Sequence, residues 1–427
     1  MEILLLFACV LALVVIDVPI AVSLGIVAIA ATVYTQGTAG LPNFPIVLFS
    51  GATNFPLIAI PLFILAGAIM NSSGISRRLI NFASALLGFI RGGLAMVGIG
   101  SSMFFAELSG SAVAGIAALG PILIPAMKSK GYPAPLAAAV MSSAATLAII
   151  IPPSIPMILY AVMAETSVVK MFVAGIIPGI LGGLGLMGAA YGFARRYNLP
   201  IEERFNWKRL RSSFREASWS FVLPIIILGG IFGGFVTATE GAALAVVAAL
   251  FLGMVVYREL DLKQLKDTMV DGGVQTAVVM LLVAASALLG SYLTEIQAPQ
   301  NLAKAVSDLT TNQYFVLALL NVVFLLLGMF LHSAAAIILV VPVVMPLVHA
   351  AGIDPIHFGL VVTLNLAIGQ QTPPVASVLM VACSIAKASV WDVSKVNIYF
   401  IGVLFALLML VTYVPIVGLG LVHLFYG

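Results

Sequence analysis

The chain has 427 residues, of which 62% are hydrophobic and 8% are charged. Soluble proteins carry about 25% charged residues, so this composition excludes a soluble enzyme, a nucleic-acid-binding domain and a secreted disulfide-bonded scaffold. Apolar residues in this number would suffice for ~13 crossings of about 20 residues each. The sequence therefore predicts an all-α polytopic membrane protein. The net charge of +3 matters less than the positions of the basic residues.

The first apolar segments predict ordinary membrane spans at residues 2–17, 18–35 and 55–73. They are followed by residues 75–93, which carry basic residues at both ends. This pattern suits an amphipathic helix that lies along the membrane interface.

Residues 94–130 are apolar but contain a small polar turn in the middle. Apolar stretches of ~15 residues on either side are too short to span a bilayer, so we predict a re-entrant helical hairpin. Residues 133–164 contain a Pro-Pro pair and are predicted as a broken helix. A further span at 172–194 closes this half.

The only stretch that looks aqueous is 195–216, which holds seven of the 19 Lys and Arg residues and is predicted as a basic cytoplasmic linker. It divides the chain into two similar halves, 1–194 and 217–427. A shift of 221 residues superposes five helix-breaking residues of one half on those of the other. The matched pairs are Pro121 with Pro342, Pro125 with Pro346, Gly131 with Gly352, and Pro152-Pro153 with Pro373-Pro374. The second half is therefore predicted to hold a hairpin at about 312–350 and a broken helix at about 355–386.

The distribution of charge predicts that the two repeats are inverted. Basic residues flank the first hairpin, whereas Lys304 alone flanks its counterpart. Since Lys and Arg concentrate in cytoplasmic loops, the flanks of the two hairpins should face opposite sides. All basic residues but Lys170 and Lys304 then lie on the cytoplasmic side, and both termini are expected on the periplasmic side. The basic residues around the first hairpin are Arg77, Arg78, Arg91, Lys128 and Lys130.

Interruptions at membrane depth predict a transport site. Irregular backbone within the membrane has a high free-energy cost unless it lines a cavity or binds a ligand. Inverted pairs of broken helices are typical of secondary transporters. Clusters of neutral oxygens suit Na⁺, a hard cation. The candidate Na⁺ ligands of the first repeat are Ser109, Gly110, Ser111, Ser143 and Thr146. Those of the second repeat are His332, Ser333, Asn365, Gly369 and Thr372. The candidate substrate contacts at the helix breaks are Pro152, Pro153, Ser154, Gln371, Pro373 and Pro374.

An alternative for each hydroxyl is that it satisfies backbone groups in a kinked helix or mediates close helix packing. Glu107 and His332 are the ionisable residues within apolar runs that are the strongest functional candidates. Glu107 could instead lie at a water-filled edge, and His332 could cap its turn. No Walker A sequence is present, which argues against ATP hydrolysis on this chain.

Three runs resemble the large membrane subunit of tripartite ATP-independent periplasmic (TRAP) transporters. They are SGSAVAGIAALGPILIPAMKSKGYP (109–133), IIIPPSIPMILYA (149–161) and GIDPIHFGLVVTLNLAIGQQTPPVASVLMV (352–381). The resemblance extends over essentially the whole chain. It implies an elevator mechanism and coupling to a Na⁺ gradient. No cofactor is expected besides Na⁺ as the coupling ion. The resemblance also implies two partners in a bacterial inner membrane system: a small four-helix membrane subunit (Q) and a periplasmic substrate-binding protein (P).

Substrates of the family are organic acids such as C4-dicarboxylates, sialic acid and sugar acids. The chain departs from the family pattern where Gly115 and His332 replace acidic residues of relatives, and where Ala148 and Ala376 replace glycine. The nearest alternative is a stand-alone dicarboxylate/Na⁺ symporter of the same architecture. An intramembrane enzyme would need a nucleophile–base or metal pair at membrane depth, and a purely structural scaffold would not need inverted broken helices.

Overall fold

The structure is a computed structural model that describes residues 2–202, 204–308, 310 and 312–427, without the side chains of 2–4, 15 and 107–109. The described residues form helices and turns, and no β-strand occurs among them. The prediction of an all-α membrane protein is confirmed. Within this part of the chain, ten helical segments are long and apolar enough to cross a membrane by length and composition.

The described part of the first half contains ten α-helices. They are α1 (Glu2–Val15), α2 (Ile20–Gln36), α3 (Phe44–Ala52), α4 (Ala59–Ser72), α5 (Ile75–Leu87), α6 (Gly93–Ser109), α7 (Ala112–Ser129), α8 (Ala134–Thr146), α9 (Ile155–Met163) and α10 (Val168–Arg196). The described part of the second half also contains ten. They are α11 (Trp207–Phe232), α12 (Ala238–Phe251), α13 (Leu262–Glu295), α14 (Ala298–Ser307), α15 (Gln313–Phe330), α16 (Ser333–Ala350), α17 (Pro355–Gly369), α18 (Ser377–Ala386), α19 (Val390–Tyr413) and α20 (Ile416–Tyr426).

Helix boundaries follow the same offset as the sequence repeat. Both ends of α16 lie 221 residues beyond those of α7, and the same distance separates the starts of α8 and α17. The helices of the two hairpins are longer than the ~15 residues expected from the sequence. In α7, α15 and α16 there are 18 residues each, because the helices continue almost to the polar turn. Length alone therefore does not separate re-entrant helices from crossing ones.

The Pro-Pro pairs interrupt two helices as predicted. After α8 the chain makes a short 3-10 turn, and α9 begins beyond Pro152-Pro153. In the second half, α17 and α18 are separated by residues that include Pro373-Pro374. Both Pro-Pro peptide bonds are cis. Proline lacks an amide proton and its ring clashes with the preceding turn, so a helix cannot continue through such a pair.

The helices form two groups by their packing. In the first group, α13 packs against α2, α3 and α4, and α12 packs against α4 and α11. In the second group, α8 contacts α6, α7, α18 and α19, while α16 contacts α9, α14 and α17. Every residue from Leu136 to Thr146 in α8 is buried, so this helix lies at the centre of the second group. The groups meet where α6 contacts α4 and where α16 contacts α13.

The predicted linker 195–216 is shorter than expected, because helices extend into it from both sides. The helix α10 continues through Arg196, and α11 begins at Trp207. The side chain of Asn206 accepts hydrogen bonds from the amides of Lys208 and Arg209 and so caps α11.

The segment between these helices contacts basic residues that flank the first hairpin. Arg91 donates a hydrogen bond to the side chain of Asn198. Lys130 forms an ion pair of 3.4 Å with Glu202. The basic ends of this hairpin and the linker thus lie together in the folded chain.

Candidate functional site

The polar turns of the two hairpins line one cavity of about 870 Å³. Gly110 and Ser111 contribute from the first turn, and His332 and Ser333 contribute from the second. The opposite wall consists of residues from α4 and α13, together with residues 19–22 at the start of α2. The cavity therefore lies between the two helix groups, and the structure brings together candidate residues from both halves of the chain.

At the first turn, α6 ends at Ser109 and Gly110 adopts a left-handed conformation with φ of 57°. Ser111 caps α7, and its hydroxyl accepts a hydrogen bond of 3.4 Å from the amide of Ala114. The side chains of Glu107 and Ser109, both candidates from the sequence, lie outside the described residues.

The first turn packs against the first Pro-Pro break. The amide of Ile155 donates to the carbonyl oxygen of Gly110 over 3.3 Å. A Cβ on Gly110 would lie 3.0 Å from the carbonyl oxygen of Pro153. Glycine is therefore required here both for its φ and for the close backbone approach.

At the second turn, His332 precedes the first residue of α16 in an extended conformation and makes no side-chain capping hydrogen bond among the described residues. The first residues of this helix, Ser333, Ala334 and Ala335, line the cavity. The corresponding residues of α7, including Ala112, also line it. The N-termini of two helices thus face the same space, and each carries a partial positive charge of about +0.5.

Gln370 contributes a buried polar side chain to the border of this cavity. It is 1% exposed, lines the cavity, and neither amide atom has a hydrogen-bond partner in the described structure. A buried amide without partners is unfavourable by roughly 1–3 kcal/mol. A polar partner for this amide is therefore favoured at the edge of the cavity.

The opposite wall is polar along one face of α13. Thr268, Asp271 and Gln275 follow one another at helical spacing and line the cavity. The hydroxyl of Thr268 is 2.8 Å from that of Ser72 on α4. Asp271 is exposed, and it is the one acidic side chain among the described lining residues.

A buried polar network lies in the second helix group and includes Ser143, Thr146 and Gln371. Ser143 Oγ donates to Gln371 Oε1 over 2.7 Å, and Gln371 Nε2 donates to Thr146 Oγ1 over 3.2 Å. Thr146 in turn donates to the carbonyl oxygen of Ser143 over 2.8 Å. Asn397 of α19 completes the network, since its Nδ2 donates to the carbonyl oxygen of Gln371 over 3.1 Å. These contacts join α8 of the first half to the break and to α19 of the second.

Asn365 belongs to a different network. Its Nδ2 donates to Asn321 Oδ1 over 2.6 Å and to the carbonyl oxygen of Val361 over 2.7 Å. Asn321 Nδ2 then donates to Thr412 Oγ1 over 3.3 Å. The Oδ1 of Asn365 is buried and has no hydrogen-bond partner in the described structure. An unpaired carbonyl oxygen of this kind is available to a cation or a water molecule.

The remaining candidates at the first break serve the local backbone. The hydroxyl of Ser154 is buried and donates to the carbonyl oxygen of Ile149 over 2.8 Å. Pro152 and Pro153 are buried beneath the first turn. The Ser154 hydroxyl therefore satisfies a backbone carbonyl group next to the helix break. This is the alternative role that the sequence left open for each candidate hydroxyl.

At the second break, the hydroxyl of Thr372 donates to the carbonyl oxygen of Ile368 over 2.8 Å. Gly369 packs on the backbone of α15, where a Cβ on it would lie 2.5 Å from the Cα of Gly328. Pro373 is half-buried and Pro374 is exposed. Backbone contact between hairpin and break thus occurs in both halves of the chain.

Sequence reasoning missed Gln370, Asn397, Asn321 and Asp271. Asn321 and Asn397 each carry an amide within an apolar helix, and this was a usable signal because such groups need partners in a membrane. Gln370 is adjacent to the candidate Gln371, yet nothing in the linear sequence distinguishes the two.

The family model described as "Tripartite ATP-independent periplasmic transporter, DctM component" matches residues 7–417. The chain belongs to this family. The resemblance to TRAP large membrane subunits is thereby confirmed. The protein is a transporter permease of a multi-pass bacterial membrane family.

Two curated relatives are similar over most of the chain. The C4-dicarboxylate TRAP transporter large permease protein DctM of Vibrio cholerae is 38% identical over 448 residues, covering 100% of this chain and 99% of the relative. The isethionate TRAP transporter permease protein DctMQ of Oleidesulfovibrio alaskensis is 40% identical over 402 residues and 94% of this chain. The chain spans 63% of the length of that second relative.

The fold is also found in a solved structure, that of the YdaH transporter of Alcanivorax borkumensis. It aligns with a TM-score of 0.63 at 15% identity and covers 89% of each chain. At this level of identity the likeness concerns the fold alone. A transporter with an unusual topology therefore shares the helix arrangement of this DctM-family chain.

Proposed function

We propose that the chain is the translocation subunit of a Na⁺-coupled, binding-protein-dependent secondary importer of organic acids. The observation that carries the proposal is the cavity shared by the two hairpin turns, with two helix N-termini and the unpartnered amide of Gln370 on its lining. Helix N-termini favour anions, because free amides and the helix dipole both point at the ligand. The similar proteins are named for isethionate and C4-dicarboxylate, and both ligands are organic anions.

Coupling to Na⁺ is proposed from the chemistry of the turns and breaks. Hydroxyl, amide and backbone oxygens predominate there, and oxygen ligands suit Na⁺. The unpaired Oδ1 of Asn365 offers such an oxygen four residues before the end of α17. A cation held beside the hairpin turns would also offset the charge of an anionic substrate, which gives a physical reason for the two to move together.

We further propose an elevator movement of the second helix group against the first. The cavity lies at the junction of the groups, so the substrate would contact the moving hairpins on one side and α4 and α13 on the other. The lining residues of α13 that follow Gln275 are all apolar, and they include Val278 and Val279. Apolar contact of this kind allows the second helix group to slide against the first without breaking many hydrogen bonds.

The proposed partners are a periplasmic substrate-binding protein (P) and a small four-helix membrane subunit (Q), and the proposed location is the bacterial inner membrane with both termini periplasmic. The contacts of Arg91 and Lys130 with residues 198–202 support this orientation. They gather basic residues from separate parts of the chain in one place, as expected of a cytoplasmic surface. We propose no enzymatic activity.

Uptake into proteoliposomes tests the proposal. The chain, its small membrane subunit and its binding protein are reconstituted, and uptake of a labelled organic acid is followed with and without an inward Na⁺ gradient. We expect uptake to need both the gradient and the binding protein. Uptake at full rate without Na⁺ would contradict the coupling, and Na⁺-driven uptake without the binding protein would favour the stand-alone symporter.

A variant pair links the uptake to the cavity. Gln370→Met keeps the approximate size of the side chain but removes the amide, so we expect uptake to fall at least tenfold if this amide contacts the substrate, a factor that corresponds to roughly 1.4 kcal/mol. Gln313→Met makes the same change at an exposed position at the start of α15 and should leave uptake unchanged.

A further inference from the structure

We infer that one exposed face of α11 is a binding site for an anionic phospholipid of the cytoplasmic leaflet. Along this face three cations come first, a tryptophan follows, and aliphatic residues come last. The inference uses the proposed cytoplasmic position of the start of α11, but neither the substrate nor the coupling ion enters it. The residues of the face are Lys208, Arg211, Arg215, Trp219, Val222 and Ile226.

Helical geometry aligns these residues on the outside of the molecule. Successive members are three or four positions apart, so they form one line along a helix of 3.6 residues per turn. The three cations, Trp219 and Ile226 are exposed. Ser213, Ala217 and Ser220, in contrast, are buried and lie on the other side of the helix. The line of residues therefore faces away from the rest of the chain.

The three cations have no counter-charge within the described structure. None of them forms an ion pair or a side-chain hydrogen bond with a described residue. Glu216 is the single acidic residue of α11, against four basic ones, and it accepts a hydrogen bond of 3.4 Å from Ser212. Glu259, in the loop that follows α12, already pairs with two arginines of α5. An anion that meets the three cations must therefore come from outside this chain.

The depth of the cations in the membrane indicates which anion is available. Since about 20 helical residues cross the ~30 Å apolar layer, a count back from the end of α11 at Phe232 reaches about residue 213. Arg215 therefore lies at the cytoplasmic boundary of that layer, and the other two cations lie just above it. Long basic side chains at this depth extend to the interface, where lipid phosphates lie.

The order of the groups along the face matches a phospholipid. Trp219 lies one turn beyond Arg215, and tryptophan is enriched at the level of the lipid headgroups. Ile226 follows at the level of the acyl chains. A protein helix would have to supply several carboxylates within two turns, whereas a lipid carries its phosphate and its acyl chains in one molecule. The choline of a zwitterionic lipid would bring a further cation to the arginines, so an anionic headgroup is preferred.

Trp219 provides a reporter for the bound lipid. The chain and its small membrane subunit are placed in nanodiscs of equal parts phosphatidylglycerol and phosphatidylcholine, and one of the two lipids carries bromine on its acyl chains near the headgroup. Bromine quenches the fluorescence of a tryptophan that it contacts, and the difference between the wild type and Trp219→Phe gives the part due to Trp219. We expect phosphatidylglycerol to be enriched about fivefold over phosphatidylcholine beside Trp219, the factor that one basic residue near a membrane surface contributes.

Substitution of the cations tests whether their charge causes the enrichment. Lys208→Gln/Arg211→Gln/Arg215→Gln should reduce the enrichment to less than about twofold, because the charge that attracts the headgroup is absent. Arg211→Lys/Arg215→Lys keeps the charge and should retain the enrichment. The comparison of the two lipids around the wild-type chain needs no change of charge, so it decides the inference even if the triple variant does not fold.

The matched control is Lys263→Gln/Lys266→Gln/Lys387→Gln, which removes three exposed cations that lie outside α11. It should leave the lipid preference at Trp219 unchanged. Equal quenching by both lipids, or the same preference in the wild type and in the triple variant of α11, would overturn the inference. Protection of Trp219 from both lipids would also overturn it, because the small membrane subunit or a second copy of the chain would then cover this face.

Discussion

The hydroxyl of Ser143 donates a hydrogen bond of 2.7 Å to Oε1 of Gln371, a residue 228 positions later in the chain. Both side chains are fully buried. Ser143 comes from the broken helix of the first half, and Gln371 lies in the break of the second. The helix that precedes the first break is thus connected directly to the second break through a polar network inside the second helix group.

Replacing Ser143 with alanine should destabilise the protein. The substitution removes a donor in a buried network and leaves acceptor oxygens of Gln371 and Asn397 less well satisfied, so we expect a loss of roughly 1–3 kcal/mol. Thermal unfolding of the purified protein in detergent measures the effect. Ser129→Ala, which removes an exposed hydroxyl at the end of α7, is the control and should change stability by less than about 0.5 kcal/mol. Equal effects of the two variants would contradict the structural role of Ser143.

Gly110→Ala should impair transport by more than the strain of an alanine at positive φ would cause. An alanine at φ of 57° is strained, and its Cβ would lie 3.0 Å from the carbonyl oxygen of Pro153. Gly131→Ala is a matched control, because Gly131 also has a positive φ, of 87°, but has nothing within 4 Å of the added atom. Strain of about 1–2 kcal/mol is common to both variants.

The rate of uptake into proteoliposomes separates the two glycines. We expect a large loss for Gly110→Ala, because the added atom pushes the hairpin turn away from the first break. Gly131→Ala should retain most of the activity. Wild-type uptake by Gly110→Ala would show that the contact between turn and break is not needed for transport.

Gly369→Ala should destabilise the second half of the molecule. The new Cβ would lie 2.5 Å from backbone atoms of Gly328, and backbone cannot move aside as cheaply as the end of a side chain. Overpacking of this kind lowers the free energy of unfolding by roughly 1–3 kcal/mol. The midpoint of thermal unfolding should therefore fall.

Gly402→Ala, in contrast, should not destabilise the protein. Gly402 lies within α19, where nothing is within 4 Å of an added Cβ, and alanine favours a helix over glycine by about 1 kcal/mol. Its unfolding temperature should rise or stay constant. A decrease for Gly402→Ala as large as that for Gly369→Ala would contradict the close contact as the cause.

Glu259 should make stability depend on pH. A hydrogen bond of 2.7 Å from Arg78 lowers the pKa of this carboxyl group, and the positive charges of Arg78 and Arg77 act in the same direction. A carboxylate with a lowered pKa stabilises the folded state above its unfolded pKa of about 4.3, and the stabilisation is lost as the pH falls through the folded pKa. The side chain is about one-third exposed, so we expect no more than about 1 kcal/mol.

Glu259→Gln should therefore be slightly less stable than the wild type at neutral pH. It should also lose less stability between about pH 5 and pH 3, because the group that becomes protonated is absent. Unfolding measured over this range checks both points. Glu295→Gln, an exposed carboxyl group at the end of α13, is the control. A pH dependence of Glu259→Gln identical to that of the wild type would exclude the ion pair as its source.

Much of the helical framework was determined by local sequence. Proline and glycine act on the backbone at their own positions, so Pro152-Pro153 and Pro373-Pro374 predicted the helix breaks without knowledge of the surroundings. The spacing of apolar residues and of short polar turns likewise predicted helices on both sides of Gly110 and His332. The repeated offset was visible for the same reason, since equivalent breakers occupy equivalent positions.

The site, in contrast, was decided by tertiary structure. Gln370 and Gln371 are neighbours in the sequence, yet one lines the cavity and the other bonds to Ser143. Their directions depend on irregular backbone, where no helical period assigns a side chain to a face. Asp271 became a cavity residue only because α13 packs beside α4 opposite the hairpins. Local propensity predicts where helices begin and end, but which polar groups meet depends on packing between segments that are far apart in the chain.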